Sequence, residues 1–201
     1  MANINFEACK SDEELKELAD FAKGIWNEYF PGLITQDQVD YMVEKFQSYD
    51  AMYEQVKHNQ YHYYLVKVND EKIGYIGLQN QPDRLFLSKF YLKKEARGNH
   101  YATQMFEFVK EQADKYCYPA IYLTCNKGNK HSLQVYDKFG FQWIDSDQTD
   151  IGQGYIMDDY IYEYRMKKIY KSIKVRTFNL IQPCQGHVFL SLPFIPEKVG
   201  K

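Results

Sequence analysis

The sequence lacks the features that mark membrane, secreted and metal-binding proteins. It has no run of about 18 apolar residues that could span a bilayer, and no apolar core of a signal peptide near Met1. Its four cysteines form no CxxC pair and have no histidines at the spacing of zinc ligands. We therefore predict reduced thiols, no metal site, no membrane partner and a cytoplasmic location.

The sequence also lacks an excess of either charge. Its 25 Lys and Arg residues and 27 Asp and Glu residues give a formal net charge of -2, whereas nucleic-acid binding normally requires a basic surface. We therefore predict no nucleic-acid partner. Aromatic residues are abundant, with 19 Tyr and 13 Phe. Because tyrosine combines a packing ring with a hydroxyl, this excess suits either a Tyr-rich core or the wall of a pocket.

The hydrophobic periodicity predicts alternating helices and strands. Ser11 and Glu14 form the pattern of a capping box, and Thr35 begins a second helical segment. The first predicted helix runs from Ser11 up to Pro31, and the second covers residues 35–57 with a break near 48–50. Two further helices are predicted over residues 102–116 and 129–139. After a first short strand, predicted strands cover residues 61–68, 73–78, 85–92, 121–125, 141–144 and 155–166. This order predicts an α/β (α+β) fold, a mixed sheet with helices on both faces.

Residues 1–166 are predicted to form one domain, because the pattern shows no linker and no internal repeat. Residues 167–201 do not continue the pattern. They contain Pro183, Pro193 and Pro196 among scattered apolar residues, which indicates a C-terminal extension of irregular structure.

The stretch 85–103 has the pattern of a strand, a turn containing glycine and the start of a helix. A helix start presents unpaired N–H groups and the positive end of a dipole, so it can bind a pyrophosphate. From this stretch alone, an ordinary strand–turn–helix connection is equally consistent.

The segment 129–141 favours the first interpretation. It begins with a helix cap, carries a tyrosine two turns later and ends in Gly-Phe. Here the chain resembles the GNAT superfamily of acetyltransferases, whose second motif reads Asn-x-x-Ala/Ser-x-x-x-Tyr-x-x-x-Gly-Phe. The matching residues are Asn129, Ser132, Tyr136, Gly140 and Phe141.

The first motif of that family, Arg/Gln-x-x-Gly-x-Gly/Ala, is matched in part. Arg97 and Ala102 match its ends, but His100 stands where the family usually has glycine. A side chain there must point away from the cofactor or contact it as an extra donor. The resemblance covers residues 1–166 and implies a GNAT-like, mostly antiparallel sheet of about seven strands; a homodimer is a family expectation.

The resemblance implies acetyl-CoA as cosubstrate and places it on named residues. The backbone of Phe90, Tyr91 and Leu92 would run beside the pantetheine arm, with the Phe90 N–H polarising the thioester carbonyl. The other implied contacts are Arg97, Gly98, Asn99, His100, Tyr101, Ala102 and Thr103 at the pyrophosphate, and Asn129, Tyr136 and Lys138 from the second motif.

The same resemblance makes Tyr136 the acid that returns a proton to the leaving thiolate. A tyrosine with an ordinary pKa of about 10 stays protonated and can supply it; otherwise Tyr136 is a packed core residue. Relatives often place a glutamate base two or four residues before the polarising N–H, where this sequence has Ser88 and Phe86. Because neither is a strong base, the proton must go to a carboxylate elsewhere, a water chain or solvent.

The acceptor site is predicted from the last strand. Alternation along residues 155–166 places Asp158 on a mostly aromatic face, where a carboxylate needs a partner. That partner is either an acceptor ammonium or a hydrogen bond to a neighbouring loop. Asp159 would point the other way and be solvated. Glu28, at the end of the first helix, is a weaker candidate for binding the acceptor.

Residues and resemblance together predict an N-acetyltransferase. It would move the acetyl group of acetyl-CoA to a primary amine by direct attack in a ternary complex. The long second helical segment and the Asp-Asp-Tyr sequence of the last strand are somewhat similar to the bacterial branch containing spermidine/spermine acetyltransferases. This similarity favours a polyamine or another small amine as the acceptor. The alternatives are a peptide or protein amine as acceptor, and a non-catalytic acetyl-CoA-binding sensor or interaction module.

Overall fold

The computed structural model describes residues 4–167, which form seven strands and five α-helices. The strands are β1 (Ile4–Ala8), β2 (Tyr61–Val68), β3 (Glu71–Asn80), β4 (Leu85–Leu92), β5 (Ala120–Asn126), β6 (Gln142–Gly152) and β7 (Tyr155–Arg165). The helices are α1 (Asp12–Tyr29), α2 (Gln36–Gln47), α3 (Tyr49–His58), α4 (Tyr101–Lys115) and α5 (Lys130–Phe139). Short 3₁₀ turns cover Phe30–Gly32 and Lys94–Ala96.

The strands form one sheet in the order β1-β2-β3-β4-β5-β7-β6. All neighbours are antiparallel except β4 and β5, which are parallel and pair only at Leu85 with Ile121 and Phe86 with Tyr122. Beyond these two positions the two strands diverge. The seven strands and their mostly antiparallel pairing confirm the predicted fold class.

Helices cover both faces of this sheet, as predicted. On one face, α4 and α5 pack over Ile76 and Phe90, with Phe106 of α4 in the same cluster. On the other face, α1 and α3 pack over Tyr75, and Tyr91 contacts both α1 and α2. Because successive strand residues point to opposite faces, β4 contributes Phe90 to one layer and Tyr91 to the other.

Side-chain caps explain where the helices begin. Ser11 and Glu14 make the predicted capping box of α1, and the hydroxyl of Thr35 accepts from the N–H of Gln38 at the start of α2. The predicted break near residues 48–50 is confirmed, since Ser48 is extended and its hydroxyl caps α3. Each cap satisfies an N–H that has no partner within its helix.

Two-residue turns join β2 to β3 and β6 to β7. Asn69 and Asp70 have φ values of 49° and 65°, and Gln153 and Gly154 have 53° and 78°. Positive φ at both central residues is the geometry of the tight hairpin turns that match strand twist. The predicted end of β6 at Ile144 is wrong. The strand continues to Gly152 because it pairs with β7, although residues 145–150 are exposed and show no apolar alternation.

Cys9 and Cys125 are buried free thiols, as predicted. Cys117 is disulfide-bonded, so the prediction of a reduced thiol is wrong for this residue. No helix within residues 4–167 is long and apolar enough to cross a membrane. The predicted C-terminal extension lies, from residue 168 onward, outside the described residues, and with it Cys184 and the three prolines.

Candidate active site

A cavity of about 630 Å³ opens where β4 and β5 diverge. Along it, one edge of β4 has no partner strand within residues 4–167. The N–H of Lys93 donates to the carbonyl of Ile73 in β3 at 2.9 Å, so the N–H groups of Phe90 and Leu92, at alternate positions, face the gap. In a strand the N–H and C=O of one residue point the same way, so the Leu92 carbonyl faces the gap as well. There it accepts a hydrogen bond from the guanidinium Nε of Arg97 at 3.0 Å. The Phe90 N–H therefore has no partner in the described part of the chain and can bind a ligand in the cavity.

The start of α4 forms one end of the cavity. Gly98 has φ +80°, and His100, the residue before the helix, is left-handed with φ 61° and ψ 11°. His100 thus adopts the backbone conformation that a glycine would favour, and it lines the cavity. No side chain of residues 4–167 caps the helix, so the N–H groups of its first turn are available to an anion.

Asn99 has a different role from its neighbours. Its amide donates toward the carbonyls of Ala96 and Arg97, both at 3.3 Å, and Asn99 does not line the cavity. It therefore holds the turn before α4. The other predicted cofactor-binding residues all line the cavity: Phe90, Tyr91, Leu92, Arg97, Gly98, His100, Tyr101, Ala102, Thr103, Asn129, Tyr136 and Lys138.

Arg97 is held by three contacts at the edge of the cavity. Its guanidinium pairs with both carboxylate oxygens of Glu28, at 2.6 and 3.3 Å, and lies 4.8 Å from the ring centroid of Tyr29. Its Nε bonds the Leu92 carbonyl, as described above. Glu28 does not line the cavity. Its carboxylate is engaged with Arg97, so the geometry does not support Glu28 as an acceptor-binding residue.

The helix α5 forms the wall facing β4. None of its residues is buried, although its inner face is apolar, because that face lies along the cavity. Asn129 is 8% exposed; its side-chain oxygen accepts from the Tyr29 hydroxyl at 2.8 Å and from the Ser132 N–H at 3.2 Å. Tyr136 lies with its ring 6.5 Å from that of Phe90, and the loss of hydration of its hydroxyl in this half-buried position raises its pKa well above 10. Its hydroxyl therefore remains a proton donor.

The two adjacent aspartates of β7 have the reverse of their predicted positions: Asp159 lines the cavity, and Asp158 does not. Asp158 forms an ion pair with Lys127, in the turn after β5, and lies outside the cavity lining. That pairing lowers its pKa and matches the loop alternative for Asp158. The prediction that Asp159 is solvated is wrong, since it is 7% exposed and lines the cavity. Alternation separated the two residues correctly, but it could not show which face of β7 borders the cavity.

The environment of Asp159 is unusual for a carboxylate. Burial raises its pKa to about 6, and the neighbouring charge of Asp158 adds to this shift, while a hydrogen bond from Thr124 opposes it. A carboxyl group with this pKa can hold an ammonium and exchange a proton near neutral pH. In the sequence, only the pair of adjacent aspartates indicated a carboxyl group at this place.

Cys125, on β5, also lines the cavity. Burial raises the pKa of its thiol to about 12, with a further contribution from Asp159. Because the thiolate is the nucleophile, a thiol held protonated in this way is poorly suited to accept an acyl group. Among residues 4–167 no group of three or more His, Cys, Asp or Glu residues could hold a metal ion.

Lys89 is a cavity residue that the sequence analysis missed. It lines the cavity on the face of β4 shared with Tyr91, and no residue within 4–167 pairs with its ammonium by a salt bridge or hydrogen bond. Burial alone lowers its pKa from 10.5 to about 8. Its stem passes over Gly77, where an added Cβ would lie 2.6 Å from the Lys89 Cγ. A charged residue in an otherwise apolar strand was the available signal.

A model of the Acetyltransferase (GNAT) family matches residues 20–141 of this chain. A curated relative, the "Probable spermine N(1)-acetyltransferase" of Bacillus subtilis subsp. natto (strain BEST195), is 29% identical over 65 residues. That match covers 32% of this chain and 43% of the relative, so it spans less than half the relative's length.

Solved structures share the fold at low identity. The PaiA N-acetyltransferase of Thermoplasma acidophilum, in complex with coenzyme A, has a TM-score of 0.68 at 18% identity, covering 82% of this chain and 99% of that one. An acetyltransferase of Elizabethkingia anophelis with acetyl-CoA bound has a TM-score of 0.51 at 15% identity, with coverage of 82% and 99%. At these identities the likeness establishes the architecture.

The left-handed conformation of His100 predicts how substitutions there affect stability. His100→Gly should keep or raise the free energy of unfolding, because glycine adopts this conformation without strain. His100→Val should lower it by roughly 1–2 kcal/mol, since a β-branched residue is disfavoured at positive φ. Urea unfolding of both variants measures the difference, and a valine variant as stable as the glycine variant would contradict the conformation.

The burial of Lys89 predicts a pH-dependent gain on its removal. Below about pH 8 the lysine is charged in both folded and unfolded chains, so Lys89→Met should raise the free energy of unfolding by on the order of 2 kcal/mol. Between about pH 8 and 10.5 the folded wild type releases this proton first, so its stability rises and the difference shrinks. Urea unfolding at several pH values measures this; the exposed Lys10→Met is the control, with a change within about 0.5 kcal/mol.

Proposed function

The chain belongs to the acetyltransferase (GNAT) family, and from this premise we propose that it transfers the acetyl group of acetyl-CoA to a primary amine of a small molecule. The observation that carries this proposal is the composition of one cavity. The free Phe90 N–H and the protonated Tyr136 lie on its β4 and α5 walls, and the buried carboxyl group of Asp159 lies on β7.

The cavity lining offers contacts to successive parts of acetyl-CoA. The unpaired edge of β4 offers peptide groups to the amides of a pantetheine arm, in the manner of an added strand. The first turn of α4 presents N–H groups to a pyrophosphate, with Arg97 at the same end and Lys138 on α5. Two structural neighbours contain coenzyme A or acetyl-CoA, which supports the same cosubstrate here.

The residues near Phe90 suit a direct transfer. The Phe90 N–H stabilises negative charge on the thioester oxygen, and loss of such a donor typically costs roughly 3–4 kcal/mol. Tyr136 supplies the proton that the departing thiolate needs. Cys125 stays a thiol, so an acyl-enzyme on it is disfavoured. The amine therefore attacks the thioester itself in a ternary complex.

The acceptor side lies between β7 and the helices α1 and α2. Trp26, Phe30 and Tyr91 form an aromatic cluster there, with Trp26 and Phe30 centroids 4.2 Å apart. Asp159 holds the acceptor ammonium and takes its proton, which provides the base that β4 lacks. The 65-residue match to a spermine acetyltransferase supports a small amine as the acceptor class.

A thiol-release assay tests the proposal with acetyl-CoA and a panel of polyamines, alkylamines, amino acids and peptides. The expected result is amine-dependent release of coenzyme A and a mass gain of one acetyl group on the amine. If acetyl-CoA stabilises the protein against heat but no amine is acetylated, the chain is a sensor and the catalytic proposal is wrong.

Tyr136→Phe should lower kcat by roughly 100-fold or more with little change in acetyl-CoA affinity, because only the proton donor is removed. Single-turnover rates and calorimetric titration separate the two effects. Tyr164→Phe is the matched control, since Tyr164 packs on Phe106 and lies outside the cavity lining. Equal turnover in the two variants would show that Tyr136 only packs.

Asp159→Asn should lower kcat/KM for the amine by roughly 100-fold, while Asp158→Asn should change it little. In the wild type, kcat/KM should fall as the pH drops through about 6, because the carboxylate is then protonated and can neither hold an ammonium nor take a proton. That acid limb should vanish in Asp159→Asn and persist in Asp158→Asn. Rate profiles over pH 5–8 measure it, and the reverse pattern would return the acceptor role to Asp158.

A further inference from the structure

The lining of the cavity contains two N–H donors that have no partner among residues 4–167. One is the side-chain amide of Gln47, at the end of α2, whose Nε2 is buried and unpaired. The other is the ammonium of Lys89 on β4. Neither is used in the transfer described above.

The hydrogen bonds around Gln47 identify which of its atoms is free. The indole N–H of Trp26, which can only donate, bonds the Tyr75 hydroxyl at 3.0 Å. The Tyr75 hydroxyl, which has one proton, then donates its hydrogen bond to Gln47 Oε1 at 3.1 Å. Gln47 is 0% exposed, so its Nε2 is a buried donor that requires an acceptor. Its position in the sequence continues the apolar stripe of α2, four residues after Val43.

Lys89 lies on the same face of the sheet as this chain of bonds. Tyr91, two residues further along β4, stacks on Tyr75 with centroids 5.2 Å apart. The space for the Lys89 stem is provided by Gly77, since an added Cβ there would also lie 2.8 Å from the Tyr63 ring. No carboxylate contributes to the altered pKa of Lys89, so Asp159 is not its counter-ion. Asp159 and the two donors therefore line the same cavity as separate groups.

We propose that Lys89 and Gln47 bind a carboxylate of the acceptor, so that the acceptor is an amine that also carries a carboxylate. This inference rests on the proposed function. A carboxylate has only acceptor sites and a negative charge, which matches two donors of which one is cationic. A polyamine would offer no acceptor to Gln47 and would bring like charge toward Lys89. The aromatic cluster of Trp26, Phe30 and Tyr91 in the same lining suits an apolar or aromatic body.

Matched acceptor pairs test the inference by thiol release: phenylalanine against phenethylamine, and 4-aminobutanoate against propylamine, with spermidine alongside. In the wild type, kcat/KM should favour the carboxylate member of at least one pair by roughly 10- to 100-fold. Lys89→Met, and Gln47→Glu, which keeps the acceptor for Tyr75 but adds negative charge, should remove that preference. Lys127→Met, which alters a lysine paired with Asp158 outside the cavity, should keep it.

The outcomes separate this inference from the proposed function. If amines are acetylated but spermidine or the decarboxylated members are preferred, or if Lys89→Met keeps the preference, the carboxylate site is wrong and the acetyltransferase stands. If no amine is acetylated, the proposed function fails, and binding decides the site. Calorimetric titration with coenzyme A present should then show N-acetylphenylalanine binding more tightly than N-phenethylacetamide, with the difference lost in Lys89→Met. Equal binding would overturn the inference.

Discussion

The divergence of β4 from β5 is the constraint on which the site depends. These two strands form a parallel pair held at only two register positions, next to Leu85 and Phe86. Beyond them β4 keeps its pairing to β3 but has no partner within residues 4–167 on its other edge, so the N–H groups of that edge face the cavity. The same gap lets α5 line the cavity with Tyr136 without burying any of its residues. The exposed edge of β4, Tyr136 and Asp159 thus line one cavity because the sheet opens in its middle.

Features set by local sequence could be predicted without the structure. The caps at Ser11 and Ser48 and the turn between Phe139 and Phe141 depend on residues close in the chain, so their patterns can be read directly. The order of helices and strands followed from periodicity, and β4 was predicted with its observed bounds. Twelve of the thirteen predicted cofactor-binding residues line the cavity because they lie on one strand, the turn after it and the first turns or inner face of two helices, α4 and α5. The side chain of Asn99 instead bonds the carbonyls of its own turn.

Features set by tertiary packing could not be predicted in this way. Alternation along β7 separates Asp158 from Asp159, but only the position of β7 between β5 and β6 decides which one borders the cavity. From the sequence alone, Lys89 has the pattern of a surface lysine and Gln47 that of a polar residue at a helix end. Only the packing of α2 near β4 shows that both line the cavity. The length of β6 depends on pairing with β7 rather than on burial, so its polar second half has no sequence signature of a strand.

The exposed second half of β6 also affects how this chain behaves beside copies of itself. Within residues 4–167, β6 is the last strand of the sheet, and such a strand offers unpaired backbone groups to which another molecule can add. Its exposed side chains include Asp145, Asp147 and Asp150. A second copy that aligned its own β6 alongside would bring these carboxylates together and meet electrostatic repulsion. The polar composition that hid this strand from periodicity thus helps to prevent edge-to-edge aggregation.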